Sequence, residues 1–275
     1  MNETPNPAVP APADDAEKDL MTQQRRARIV ATVQRLGSVR VGELAGRFGV
    51  SEVTIRNDLV VLEREGQLVR DRGGAIAKES GRYVTTLLRV DERSALNHDA
   101  KRRIAAAAAG RVSPGDTVLL DAGTTVVEIA PHLAGRTPLT VVTNALNVVL
   151  ALNRMPDVRL LCLGGTFHGE SGSTVGPIAE QALGELTVQK LFLGAQALDL
   201  EHGLTDSTVE IAQVKRAMLR AARQVILLAD ASKWGRAGLI KVAPLSEVDT
   251  IITDDALPAE TRAAIERLGI ELVIV

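Results

Sequence analysis

The chain has a single cysteine, Cys162, in 275 residues, which excludes an internal disulfide. Cys162 sits in an apolar run and is expected to be a small core side chain rather than a redox group or metal ligand. No long uncharged apolar run is present, which argues against a membrane span. No basic-then-apolar stretch opens the chain, so no signal peptide is expected and the cytoplasm is the expected compartment. The four histidines, His98, His132, His168 and His202, show no ligand spacing. No metal site and no cofactor are therefore expected. No internal repeat is visible. With 45% hydrophobic residues, the length suffices for two globular domains.

The net charge of −2 hides an asymmetry. Residues 1–20 carry five carboxylates and one lysine, whereas residues 21–80 carry eleven basic and seven acidic side chains, net +4. The leader, residues 1–21, is Pro/Ala-rich and acidic and is expected to be disordered. The basic stretch that follows is expected to meet nucleic acid. An excess of four charges binds phosphates weakly, so a homo-oligomer, a dimer or tetramer, is expected to supply the affinity.

Within that stretch, Ile55, Leu59 and Leu62 fall at i, i+4 and i+7 of one helix. Ser51 suits its N-cap, Glu52 the positive end of its dipole, and Gly66 a left-handed close. The other edge presents Thr54, Arg56 and Asn57 in the first turns, where a recognition helix meets DNA. Arg bonds guanine and Asn bonds adenine bidentately, so these side chains suit base readout. Val41, Leu44, Ala45 and Phe48 mark a preceding helix ending at Gly49. Arg25 to Leu36 marks a third, with Ile29, Val33 and Leu36 on one face. Downstream, Leu68 to Ala77 reads as two strands around a Gly73-Gly74 turn, bringing Arg70 and Arg72 to a basic hairpin. Together these elements make a winged helix-turn-helix over residues 22–78.

The string Gly49-Val50-Ser51-Glu52-Val53-Thr54-Ile55-Arg56-Asn57-Asp58-Leu59, followed by Leu62-Glu63 and Arg72-Gly73-Gly74-Ala75, closely resembles the N-terminal domain of the DeoR family of bacterial transcriptional repressors. Many members have a second Arg at the position of Asn57, so base preference there need not follow theirs.

Residues 79–96 read as a linker, with Tyr83, Leu87, Leu88 and Val90 among charged residues and some packing on one domain. From residue 97 to 275, helical and strand-like runs alternate, which predicts an α/β domain with a doubly wound, mostly parallel sheet. A helix is expected over Thr125–Leu133. In such sheets ligands sit at the carboxyl ends of strands. There the chain places Asp121-Ala122-Gly123-Thr124-Thr125, Thr143-Asn144, Gly164-Gly165-Thr166 and Asp230-Ala231-Ser232-Lys233. Gly123 permits close backbone approach, and free N–H groups with two hydroxyls suit a phosphate. A plain strand-to-helix turn has the same look, Lys233 also reads as a solvated lysine, and Glu210 also suits a helix dipole. Convergence of several polar strand ends outweighs any one.

This half also resembles the DeoR family, in its sensor domain, through Asp116–Thr125, Val141–Leu146, Leu163-Gly164-Gly165, Val175-Gly176-Pro177, Glu210 and Asp230–Gly235. The resemblance implies a fold like that of sugar-phosphate isomerases and a phosphorylated sugar effector. It implies that Asp121, Gly123, Thr124 and Thr125 hold the phosphate, that Thr143, Asn144, Gly164 and Gly165 line the pocket, and that Glu210 and Lys233 meet the sugar. Trp234 stands where members often have Phe. The reading is a sequence-specific repressor of a sugar or amino-sugar catabolic operon, bound to double-stranded operator DNA and released by the effector, with residues 81–96 as transmitter. The competing class is a sugar-phosphate isomerase or deaminase fused to a DNA-binding head, with Asp121 or Glu210 as base. No second carboxylate–histidine or carboxylate–lysine pair is picked out beside these candidate bases, so no catalytic residues are expected. A nucleoid-type DNA binder is the third option.

Overall fold

A computed structural model describes residues 15–36, 38–71, 73–77, 83–84 and 87–275. Contacts divide the chain into two units, Met1–Gly81 and Arg82–Val275.

The first unit contains α1 (Asp15–Leu36), β1 (Ser38–Arg40), α2 (Val41–Phe48), α3 (Glu52–Arg64), β2 (Leu68–Asp71) and β3 (Gly74–Ala77). The ends of the helices are set locally. Gly49, at φ 63, closes α2 by returning its N–H to Ala45. Ser51 caps α3, its Oγ accepting from the Thr54 N–H at 3.1 Å. At the far end Gly66, at φ 69, donates to the Glu63 carbonyl at 2.9 Å, and Gln67 donates to Leu62 at 2.8 Å. This is a Schellman close that satisfies two orphan carbonyls. Ile29, Val33, Leu44, Ile55, Leu59, Leu62 and Leu68 form the core. Strand β3 lies between β1 and β2, antiparallel to both, and forms the wing.

Two local expectations change here. The first helix begins at Asp15 rather than Arg25 and runs through the last part of the acidic leader. The leader segment 15–21, Asp-Ala-Glu-Lys-Asp-Leu-Met, combines good helix formers with acidic residues at the dipole's positive end. Residues 1–14 of that leader, and Arg72, lie outside the described residues. The wing turn is centred one residue earlier than Gly73-Gly74. Gly73, at φ 88, turns, and Gly74 opens β3 opposite Arg40. A Cβ at Gly74 would lie 2.4 Å from the Val39 carbonyl oxygen, so the close approach of β1 is what requires glycine.

The second unit begins with β4 (Tyr83–Val84), α4 (Val90–Ala95), α5 (His98–Ala109), β5 (Thr117–Leu120), β6 (Leu139–Thr143), α6 (Leu146–Leu152) and β7 (Val158–Cys162). It continues with β8 (Thr166–His168), β9 (Ser173–Val175), α7 (Pro177–Gly184), β10 (Val188–Gly194), β11 (Ala197–Asp199), β12 (Gly203–Asp206), α8 (Val209–Ala221) and β13 (Ala222–Leu228). It ends with β14 (Ala237–Gly238), β15 (Ile240–Ala243), β16 (Thr250–Thr253), α9 (Ala259–Arg267) and β17 (Glu271–Ile274). Seven strands form one sheet in the order β17-β16-β13-β10-β5-β6-β7, and every pairing in it is parallel. Alternate residues feed two cores. Leu119, Leu191, Leu193, Leu227 and Ile251 face one way, and Val118, Leu120, Phe192, Ile226 and Ile252 face the other. Burial on both faces explains the continuous apolar runs of these strands.

Differences from the sequence reading have identifiable causes. The expected helix Thr125–Leu133 is a 3-10 helix over Val127–Leu133 with Pro131 inside it, and the proline lacks the N–H that a longer α-helix needs. Segment 79–96, expected as a linker with some packing on one domain, contains β4, which pairs with β14, and α4; residues 79–82 and 85–86 lie outside the described residues. Cys162 is exposed, because β7 is the sheet's edge. The pairs β8–β9 and the sheet β11-β12-β15 were not foreseen.

One buried charge in the first unit carries a testable cost. Asp58, 2% exposed, accepts from Arg25 Nε at 2.6 Å and Arg26 Nε at 2.9 Å, tying α1 to α3. Asp58→Asn is expected to lower stability by about 1–3 kcal/mol, less than for a fully buried pair because both arginines keep access to water. Urea denaturation of the variant with an unchanged midpoint would remove this tie from the account.

Candidate functional site

Two faces carry candidate chemistry. On the first unit, Ser51 is held by its capping role and by an Oγ contact of 2.8 Å to Thr54 Oγ1. Arg56 and Asn57 are exposed, and Arg56 pairs with Glu52 one turn back. At such exposure this pair adds little stability, but it orients the guanidinium along the helix. Arg70, also exposed, lies on β2, its backbone N–H donating to Glu63 Oε1 at 3.0 Å. Thr54 is half-buried.

On the second unit, the chain leaves β5 toward β6 and β7 on one side and places β10, β13, β16 and β17 on the other. The crevice beyond the carboxyl ends of β5 and β10 is therefore the switch point where open α/β sheets hold ligands. Gly123 and Gly194 let the two loops meet: a Cβ on Gly194 would lie 3.1 Å from the Gly123 Cα. A cavity there is walled by Asp121, Gly123, Asn144, Arg93, Gln196, Asp206 and Lys215, among others.

Lys215 organises its polar side. The ammonium, 6% exposed, donates to Asp206 Oδ2 at 2.9 Å and to the Gly194 carbonyl at 3.0 Å, with Asp121 Oδ2 3.8 Å away. Burial alone pushes its pKa down, but Asp206 and Asp121 together raise it above the ordinary lysine value. Asp121 Oδ2 also accepts the Gly194 N–H at 2.9 Å. Burial pushes the Arg93 guanidinium down, while Asp206 and Asp121 pull it back. Its Nε donates to the Leu88 carbonyl at 3.0 Å.

Of the residues expected to bind effector, Asp121, Gly123 and Asn144 reach the cavity wall. Thr124 and Thr125 are buried in the same loop. Among the described residues, the backbone N–H groups of Gly123, Thr124 and Thr125 donate to no backbone carbonyl. Thr143 is fully buried, its hydroxyl donating to Leu120 O at 2.7 Å and accepting from the Ala145 N–H at 3.0 Å, so it fastens β6 to β5. Asn144 donates to Thr174 O at 2.9 Å, and its Oδ1 is buried without a partner. Gly164 and Gly165 are exposed at the start of the β8–β9 hairpin, outside the cavity wall. Glu210 is exposed in the first turn of α8, and Lys233 is half-buried beyond β13; neither lines the cavity.

Sequence reasoning missed Arg93, Gln196, Asp206 and Lys215. Lys215 left a signal: it lies four residues from Ile211 and three from Met218, on the apolar stripe of α8, where a lysine is out of place unless paired. Asp206 ends an unforeseen strand, and Arg93 sits in the supposed linker. Among the described residues, no group of three or more His, Cys, Asp or Glu side chains is arranged to hold a metal. None of the helices described is long and apolar enough to cross a membrane.

The model of the DeoR-like helix-turn-helix domain matches residues 25–81, and that of the DeoR C terminal sensor domain matches residues 96–255. The chain belongs to the DeoR family of transcriptional regulators. It is 38% identical over 254 residues to the "Putative aga operon transcriptional repressor" of Escherichia coli O157:H7, covering 92% of this chain and 94% of that protein. It is 38% identical over 249 residues to "Transcriptional repressor AccR" of Agrobacterium fabrum, covering 90% and 93%. It is 36% identical over 255 residues to "HTH-type transcriptional regulator GlpR" of Haloferax volcanii, covering 92% and 98%. Among solved structures, ribose 5-phosphate isomerase A from Methanocaldococcus jannaschii overlays 50% of this chain and 55% of its own at 17% identity. The TM-score of that overlay, 0.38, is too low to carry chemistry across. This DeoR-family chain thus has a DNA-binding head and a sensor unit with a polar crevice at its switch point.

The sensor's charges also set a pH response. Lys101, 3% exposed, donates to the Arg93 carbonyl, and burial pushes its pKa down to about 8 against the pull of Asp230. Between about pH 8 and the ordinary lysine value of ~10.4 the unfolded chain holds the proton more tightly, so this group's contribution to stability rises with pH. Denaturation at pH 7.5 and 9.5 is expected to show the wild type gaining on Lys101→Met at the higher pH. Equal gains in both proteins would refute the assignment.

Proposed function

We propose that this DeoR-family regulator is a repressor of a carbohydrate catabolic operon, working as a homo-oligomer and relieved by a phosphorylated sugar in the β5/β10 crevice. The observation that carries the ligand reading is Asn144: a residue of the cavity wall whose acceptor oxygen is buried without a partner is suited to a donor from outside the protein. A sugar hydroxyl is such a donor. The N–H groups of Gly123, Thr124 and Thr125, which donate to no backbone carbonyl among the described residues, suit a phosphate. The names of the relatives, two of them called repressors, support the direction of regulation.

The enzyme reading has one specific observation behind it. Lys215 and the carboxylates of Asp206 and Asp121, far apart in sequence, do meet in the crevice. A lysine held protonated by two carboxylates is neither a base nor a nucleophile at neutral pH. The arrangement supports binding, and no turnover of the effector is expected.

For the head, Ser51, Thr54, Arg56 and Asn57 of the capped helix α3 are the base- and phosphate-contacting set, with Arg70 and Arg72 of the wing on the backbone. Arg56→Ala is expected to cost about 1–3 kcal/mol and to relax preference at one position if Arg56 reads a base. Binding to selected and random DNA checks this: an equal loss on both makes Arg56 a phosphate contact instead.

For the sensor, a thermal-shift panel of hexose, pentose and triose phosphates, with their unphosphorylated sugars and inorganic phosphate, identifies the effector. A sugar phosphate at a hundred times its dissociation constant is expected to add about 2.7 kcal/mol of stability. The gain is expected to vanish in Thr124→Ala/Thr125→Ala. Silence across the panel would overturn the phosphosugar reading and leave the head untouched.

A further inference from the structure

The crevice is too small for the ligand its chemistry suits. Its cavity measures about 40 Å³, a few times the ~10–15 Å³ that one water molecule needs. Pockets for small molecules run from about 300 Å³ upward. A wall must therefore move, and the walls are not equally free. Strands β5 and β10 are central in the sheet, and α8 is pinned by Lys215. The β8–β9 hairpin is bound through its backbone, Thr174 donating to Asn144 O at 2.9 Å, with Asn144 donating back to Thr174 O.

The remaining wall is the segment 87–97, which contributes Leu87 and Arg93. Among the described residues, no backbone–backbone hydrogen bond joins residues 87–96 to the rest of the unit. Side chains hold it instead. Lys101 donates to the Arg93 carbonyl. Asn97 donates to Asp230 Oδ1 at 3.0 Å and Ser232 Oγ at 3.1 Å. Arg93 Nη2 reaches the Glu170 carbonyl only at 3.5 Å, and Val90 packs on Gly172. Arg93 lies in the field of Asp121 and Asp206 but forms no ion pair with them among the described contacts.

We propose that residues 87–97 form a strap that fills the effector pocket with Arg93 and Leu87, and that the effector binds by displacing it. In sequence the strap follows β4, the strand by which the chain coming from the DNA-binding head pairs with this unit, so its displacement loosens that attachment and is the signal. The inference rests on reading the crevice as the phosphosugar pocket.

A disulfide tests it in the full chain. A Cβ on Gly172 would lie 3.9 Å from the Val90 Cβ, inside the ~3.5–4.5 Å range of disulfides. With Cys162→Ser, the pair Val90→Cys and Gly172→Cys locks the strap to the hairpin when oxidised. The reduced variant is expected to bind the panel's phosphosugar as the wild type does, and the oxidised one at least about tenfold more weakly, ~1.4 kcal/mol. Equal affinity in both states overturns the strap. Gly172 has φ +65, so a side chain there is strained, and hydrogen exchange on the wild type gives a second measure. Ligand is expected to speed exchange in α4 while slowing it at residues 142–146, and slowed exchange in α4 overturns the proposal. Failure of every sugar phosphate to bind the wild type refutes the ligand reading by itself. The strap then depends on Leu87→Ala/Arg93→Ala, which must bind a panel member that the wild type does not; silence there overturns it too.

Discussion

The sensor unit depends on one buried ammonium. Asp121 and Asp206 are 4% and 1% exposed, and each would cost several kcal/mol if left ionised without a partner. Lys215 partners both, with the Arg93 guanidinium in the field of the same two carboxylates, and also caps the Gly194 carbonyl, so the charge joins helix α8 to the ends of β5, β10 and β12. These ends lie where strand order reverses, so neighbouring loops diverge and leave a gap. Gly123 and Gly194 keep that gap narrow by letting backbone meet backbone. The crevice is thus a by-product of topology made durable by electrostatics, and Asn144, whose Oδ1 is buried without a partner, is part of its wall.

The head solves a smaller problem by different means. Its core is a few aliphatic side chains, so the helix ends carry much of the specification. The Ser51 cap, the Gly49 turn and the Gly66 close each satisfy backbone groups that would otherwise compete for water. Asp58, facing inward, draws Arg25 and Arg26 onto α3 and leaves Arg56 and Asn57 on the outer edge. Structure and recognition are thereby divided between opposite faces of one helix.

This division explains what was legible in the sequence. Caps and stripes are local, so α2, α3 and the wing could be read from spacing, as could the central strands, whose residues are apolar on both faces. The site was read only in part. Asp121, Gly123 and Asn144 follow strands directly, and the switch-point rule finds them. Gly164, Gly165, Glu210 and Lys233 also follow strands or start helices, yet they are not part of this cavity's wall. The β8–β9 pair and the β11-β12-β15 sheet, which contribute Ser173, Val175 and Asp206 to that wall, are strands of three or four residues, with no period long enough to register. Arg93 leaves no local trace at all, since only tertiary packing makes the supposed linker a wall.

The strap's energetics fit its assigned role. It is held by one lysine–carbonyl bond, two hydrogen bonds from the Asn97 amide, a long bond from Arg93 to the Glu170 carbonyl and the apolar contacts of Leu87 and Val90. Neutral hydrogen bonds contribute about 0.5–1.5 kcal/mol each, and those to charged groups about 1.5–3. Their sum is a few kcal/mol, of the same order as allosteric couplings, which run about 1–3. A strap bonded through its backbone, as a sheet strand is, would hold too firmly for a small ligand to shift. One without Lys101 and Asn97 would leave the pocket open and the head uninformed. Only a differential affinity for the open state can move such an equilibrium. The pocket offers the ligand a source for it, because Arg93, once displaced from the cavity, leaves its space and the unpaired Asn144 oxygen to the incoming hydroxyls.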